Sequence, residues 1–466
     1  MFLVALLACT STQDSATEVL TETVETITAK DYRPDVEFSR AYECGECHPT
    51  HYAEWQQSMH AYAAHSPVFD AMAQKAFRDT SGEVGTFCTS CHSPIGAIQG
   101  ETGASTAATR SDISKDSISC EVCHSAVDHG QPVGNLSLKF STSSEKYGPY
   151  ESSATEGHEN EYSPLHKSPE LCGSCHDVYN FPGIRIEEAY TEYVESPAQE
   201  QGLSCQDCHM STIPGQPSAR VKGPIAVVDG FSYPEREISS HRFIGPDYSL
   251  LDSFPYPDDL AASAEAQEEM FGQIQILLEN SIQISEIRGG QEEIEGLIQT
   301  VIEIDIESLV SGHNVPTGFT SERQLWLEVT VIAENGDTLL QSGHLDINGD
   351  LYDVHSTEVQ RNTQLADEFL LNLQSKNIKR QGIPDAPVLK EVIFPFDGDY
   401  IEKHSLSPLE KRTARYILEE SSAPITIEAK LRYRNLPPYL LRALQLDELI
   451  PRLQIFTIDQ QETSIQ

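Results

Sequence analysis

The chain has 466 residues, too many for one ordinary hydrophobic core, and its 31 Lys and Arg stand against 72 Asp and Glu for a formal charge of −41. A field of that sign repels nucleic-acid phosphate and an anionic membrane surface. Hydrophobic residues make up 39 %, and no apolar run after the N-terminus approaches the roughly 18 residues of a transmembrane helix.

In chain order, residues 1–9 are apolar and end in Leu6-Leu7-Ala8-Cys9, similar to the end of a bacterial lipoprotein signal. On that reading Cys9 becomes the acylated N-terminus and anchors the chain to a membrane by lipid alone. No Lys or Arg precedes the run, a departure from such signals, and a buried or disordered free cysteine is the alternative. Residues 10–35 are rich in Thr, Glu and Ser and read as a flexible acidic tether. Val19, Leu20, Val24 and Ile27 would otherwise line a short amphipathic helix.

Residues 36–245 carry five repeats of Cys, two residues, Cys, His: Cys44-Cys47-His48, Cys88-Cys91-His92, Cys120-Cys123-His124, Cys172-Cys175-His176 and Cys205-Cys208-His209. This is the attachment signature of haem c. Two thiols add across the two vinyl groups, and the following imidazole meets the iron as proximal ligand. Neither a disulfide framework nor paired zinc sites would require a histidine after every second cysteine. Five covalently bound haem c groups are therefore expected. Spacings of 44, 32, 52 and 33 residues are irregular, which argues against a solenoid. At this density the region should consist of short helices and loops, with a helix over 49–77 broken near Pro67. Asn135-Leu136-Ser137 matches a glycosylation acceptor, but it carries no weight in a bacterial export setting.

Residues 246–285 read as a helical connector, with a helix over 258–280 capped by Asp258 or Asp259 and presenting Met270, Ile274, Leu277 and Leu278 on one face. The period then changes to two: Ile302-Ile304-Ile306, Leu325-Leu327-Val329-Val331 running into a turn at Asn335-Gly336, and Ile425-Ile427-Ala429-Leu431-Tyr433. Residues 286–466 are expected to form an antiparallel β-sandwich-like domain, its strands over about 281–460, with helices inserted near 356–375, 407–420 and 438–449. The fold class is α+β.

Sixteen histidines less five proximal ones leave eleven for the other axial face. A second strong ligand makes an iron an electron carrier, and an open face lets it bind substrate. Trp55-Gln-Gln-Ser58-Met-His60-Ala61, Ser119 to His124, Cys172 to Asp177 and Cys205 to Met210 resemble elements of multihaem cytochromes of the cytochrome c-554 type. Gly312-His313-Asn-Val-Pro316-Thr317-Gly318, with Arg323 and Trp326, is similar to the sheet domain appended to several of them. The resemblance covers 36–245 well, 295–350 moderately and the last hundred residues loosely. It implies His60, His158, His166, His241 and His313 as distal iron ligands. His129, in a loop after the third motif, is a further candidate. His51 and His65 are expected to contact a propionate or solvent. His344, His355 and His404 are expected in surface or structural roles.

These readings converge on electron transfer rather than catalysis. Redox partner proteins would present basic docking surfaces to the acidic shell. Thioether attachment implies export, to the periplasm or cell surface, with outer-membrane lipoprotein as the expected form. A multihaem oxidoreductase of small nitrogen or sulfur compounds, with one open-faced haem, is the alternative. Pentahaem nitrite reductases usually carry Lys in place of one motif His, whereas all five motifs here end in His. A subunit of a cytochrome filament or complex is a third reading.

Overall fold

A computed structural model describes residues 25–33, 35–151, 157–180, 183–218, 220–383, 386–418 and 424–465. Cys9 and most of the expected tether lie outside these residues. The described end of that tether is not free. Thr26-Ile27 pairs with Phe140-Ser141, and Ile27 and Ala29 are buried. An apolar residue beside an unpaired strand edge gains more by closing that edge than by staying in water.

The motif-bearing region is built of one- to three-turn helices. The expected 49–77 helix is three: α1 (Pro49–Gln56), α2 (Met59–Tyr62) and α3 (Pro67–Asp79). Each break has a local cause. The Ser58 hydroxyl accepts from the Ala61 amide and the Ser66 hydroxyl from the Phe69 amide, so each serine starts a new helix as its N-cap. Apolar packing here is thin: one cluster around Ile27, Ile95, Ile98, Leu138 and Phe140, and another of Ala41, Trp55 and Ala61.

The long helix α4 (Leu260–Glu279) falls where its periodicity places it, with the Asp259 carboxylate accepting from the Ala262 amide at 3.1 Å. Its Met270, Ile274, Leu277 and Leu278 face is buried against the sheets that follow. Those are antiparallel. β1 (Ile282–Ile294) pairs with β2 (Leu297–Ser308). The hairpin of β3 (Gln324–Ala333) and β4 (Thr338–Ser342) turns at Gly336, φ +89°. β5 (Lys376–Ile383), β6 (Ala386–Val392) and β7 (Tyr400–Glu402) form a separate sheet in the order β6-β5-β7. β8 (Lys411–Leu418) adds to β2, and β9 (Ile425–Arg434) and β10 (Phe456–Ile465) complete a four-stranded sheet in the order β4-β3-β9-β10. Ile302, Ile304, Ile306, Leu327, Val329, Ile427, Ala429 and Leu431 are almost wholly buried between the sheets and α4.

Two inserted helices are corrected. Within 407–420, Lys411–Leu418 is strand β8, because Ala414, Tyr416 and Leu418 alternate into the core. The 356–375 segment holds one helical turn, Thr357–Gln360, which ends at Asn362 with φ +56°. The 438–449 expectation reduces to Pro438–Ala443, followed by a 3-10 segment over Asp447–Arg452.

Candidate functional site

Each motif closes one helical turn. The His48 amide donates to the Cys44 carbonyl at 2.8 Å and the His176 amide to the Cys172 carbonyl at 2.9 Å; Cys88–His92, Cys120–His124 and Cys205–His209 lie within short helices. Residues i, i+3 and i+4 of a turn share one face, so both thiols and the imidazole point the same way. All fifteen of these side chains line one continuous cavity of about 2710 Å³. None of the ten cysteines is in a disulfide. Among the described residues no three His, Cys, Asp or Glu side chains converge as a closed zinc site would require. The His176 side chain shows 53 % of its surface, yet it borders this cavity.

Thiols of different motifs meet. Cys44 lies beside Cys120, Cys91 beside Cys175, and Cys172 beside Cys205. The first and third motifs thus adjoin, and the fourth adjoins both the second and the fifth. Burial pushes the Cys88, Cys123 and Cys208 thiols up to about 11, which keeps them neutral.

Histidines face one another across the cavity. Ring centroids are 6.2 Å apart for His48 and His158, 6.4 Å for His60 and His176, 6.5 Å for His124 and His241, and 6.2 Å for His209 and His313. Two imidazoles on opposite sides of one metal, each bonded at about 2 Å, have centroids roughly 6 Å apart. Nδ1 donates to a backbone carbonyl in most of these rings: Ile225 for His48, Tyr147 for His124, Ile244 for His209, Glu159 for His158, Ser239 for His241 and Asn314 for His313. That bond fixes the tautomer with Nε2 unprotonated, the form that binds a metal. Burial lowers His60 and His241 to about 3 and His313 to about 4, so these rings are neutral.

His60 owes its position to the residues around it. The Trp55 indole donates to the Ile118 carbonyl at 2.8 Å, and the Ile118 amide donates to the His60 carbonyl at 3.2 Å. These bonds tie α1 and α2 to the strand of chain entering the third motif. His313 reaches the cavity from the segment before β3. Glu192 holds that segment by accepting from the Asn314 side-chain amide at 2.8 Å and the Thr317 hydroxyl at 2.6 Å. The Glu54 carboxylate accepts from the His241 amide at 2.8 Å.

Other histidines are placed differently. The His166 ring lies 5.4 Å from His124, but its Nε2 donates to the Cys123 carbonyl at 2.9 Å. His65 Nε2 donates to the Lys115 carbonyl. His129 bonds the Gly130 carbonyl and does not line the cavity. His51 does line it, wedged 6.1 Å from His48 and 4.7 Å from His241. His355 stacks on Tyr439 and pairs with Glu391; His404 pairs with Glu402.

His92 stands apart. Its ring neighbour is Phe69, stacked at 4.0 Å, and the buried Arg110 guanidinium lies over the Phe69 ring at 5.2 Å. No second histidine ring is in contact with it among the described residues. Its Nδ1 is buried and makes no well-formed hydrogen bond, the Ala63 backbone being its nearest acceptor. His176 differs in another way. Its Nδ1 donates to the Glu187 carboxylate at 3.0 Å, and that charge raises it to about 9. Neither Phe69 nor Glu187 is marked in the sequence by a motif; helix phase and strand register put them there.

The residues present fit haem c: paired thiols on one face, an imidazole beside them, and a shared cavity with apolar walls. The family model for cytochrome c554 and c-prime matches residues 43–125. A penta-heme cytochrome c552 from Thermochromatium tepidum shares the fold, with a TM-score of 0.56 at 17 % identity over 92 % of this chain and 99 % of that one. No curated protein matches. Motifs, the family match over residues 43–125 and the shared fold make this chain similar to multihaem c-type cytochromes, with a C-terminal β domain following the motif-bearing region.

Proposed function

We propose that this protein relays electrons through five covalently held haems, four of them closed by a second histidine. When bound, haem c supplies a one-electron iron couple. The ten motif cysteines hold the groups. His48, His92, His124, His176 and His209 act as proximal ligands, opposed by His158, His241, His60 and His313 on the first, third, fourth and fifth. The carrying observation is the set of four histidine pairs at 6.2–6.5 Å, all lining one cavity. The carbonyls that bind Nδ1 hold six of the eight paired rings in the ligating tautomer, so little reorganises there when an electron arrives. Contacts between thiols join the first motif to the third, and the fourth to both the second and the fifth; Cys123 of the third motif lies within electrostatic reach of Cys172 and Cys175, which supports a path through the fourth motif.

We take 36–245 as the haem-bearing unit and 286–466 as a domain that contributes one ligand, His313. Export, with attachment outside the cytoplasm, fits this chemistry. Among the described residues no helix is long and apolar enough to cross a membrane. Partners with basic docking faces suit the charge of −41.

A second reading rests on His92. With Phe69 and not histidine as its ring neighbour, the second motif is the one place where a small molecule could meet iron directly. Intact mass and low-temperature EPR of the oxidised protein test both readings. Five covalent haem increments with a high-spin signal near one in five are expected. An all-low-spin spectrum removes the open site, and fewer than five increments removes the relay as drawn.

A further inference from the structure

The proximal histidines differ in what their Nδ1 protons bind. His48, His124 and His209 donate to neutral backbone carbonyls at 2.7, 2.7 and 3.0 Å, whereas His176 donates to a carboxylate, Glu187 Oε1, at 3.0 Å. The contact is built in. Glu187 ends the short strand Arg185–Glu187, and register pairs it with Val178, two residues past His176. The residue is 6 % exposed. Among the described residues Glu187 has no lysine or arginine partner. Arg323, the cation that feels its charge, is paired with Asp247 at 2.7 Å.

A ligating imidazole that shares its second proton with a buried anion takes on imidazolate character. It becomes a stronger donor and favours the more highly charged, oxidised metal. A carbonyl does this weakly, and the low-dielectric setting enlarges the difference. The fourth motif is also the junction, since its thiols adjoin those of the second and fifth motifs.

We propose that Glu187 is a positioning residue which, through His176, gives the junction haem the lowest reduction potential of the five. This rests on the relay reading above. Neighbouring centres then fill first, and an electron crosses the junction as a brief step between branches. No proton or bond changes hands.

The test is potentiometric titration of the full holoprotein, followed by optical absorption and EPR. Glu187→Gln keeps the shape and one hydrogen-bonding oxygen but removes the charge. The lowest midpoint is expected to move positive by at least tenfold in its reduction equilibrium, 59 mV for a one-electron couple, with the other midpoints in place. Glu188→Gln removes a charge one residue away, where Lys403 neutralises it, and is expected to leave the lowest midpoint where it was. An unmoved lowest midpoint in Glu187→Gln, or an equal shift in Glu188→Gln, overturns the proposal. His60→Ala separates the two levels. If it creates no high-spin centre, the His60–His176 pairing itself fails; if it does and Glu187→Gln shifts nothing, the tuning role alone fails.

Discussion

Which ring nitrogen a histidine commits to its own backbone decides what the other nitrogen can do. His241 and His166 both sit near His124, and the resemblance implies both as ligands. His241 spends Nδ1 on the Ser239 carbonyl and keeps Nε2; His166 spends Nε2 on the Cys123 carbonyl. Replacing His241 by alanine is therefore expected to convert one low-spin centre to high spin, with haem content unchanged by mass. The same change at His166 should leave the spin-state ratio unaltered. His313→Ala should also produce one high-spin centre, since its ring faces His209 at 6.2 Å. EPR at low temperature reads all three.

At the scale of elements, the chain divides by what fills its interior. Helix α4 and the sheets have an ordinary apolar core, so ordinary rules apply. Ile274 is fully buried on α4, and Ile274→Ala is expected to cost about 2–5 kcal/mol, read as a lower denaturant midpoint. Asp259→Ala removes the N-cap of the same helix and should cost about 1 kcal/mol. In the motif-bearing region the helices are too short and the apolar clusters too small for such arithmetic. There the cavity occupies the place of a core. Covalent attachment should dominate stability, and a chain expressed without haem maturation should show exchange-labile amides over 36–245 while β2, β3 and β9 stay protected.

For the whole molecule, charge sets the terms of encounter. Association with a cationic redox partner should weaken steeply as ionic strength rises from low values, because exposed acidic groups are screened within about 10 Å at 0.1 M salt. Acidity also marks the interior. Burial pushes the Glu322 carboxyl up to about 7, with Arg323 lowering it and Asp247 raising it. The folded state thus holds that proton more tightly than the unfolded chain, whose value is near 4.5. Its contribution is complete below pH 4.5 and is lost as pH rises to about 7. Thermal midpoints should fall across that window, and Glu322→Gln should flatten the slope.

The five Cys-x-x-Cys-His turns were legible from the chain alone because their geometry is local. Cysteine, cysteine and histidine at i, i+3 and i+4 need one helical turn and nothing beyond it. The core strands β2, β3 and β9 were legible for a similar reason, since burial of one face writes a period of two into the residues themselves. Strand β8 was misread as helix because its alternation spans three buried residues among charged ones, too short a signal without its partner β2. The facing histidines needed the fold. His158 meets His48, and His313 meets His209, across long stretches of chain, and nothing near either histidine names the other. Phe69 beside His92 and Glu187 beside His176 follow the same logic. A residue type can state what a side chain is able to bind, but only the packing of distant segments settles which one stands opposite.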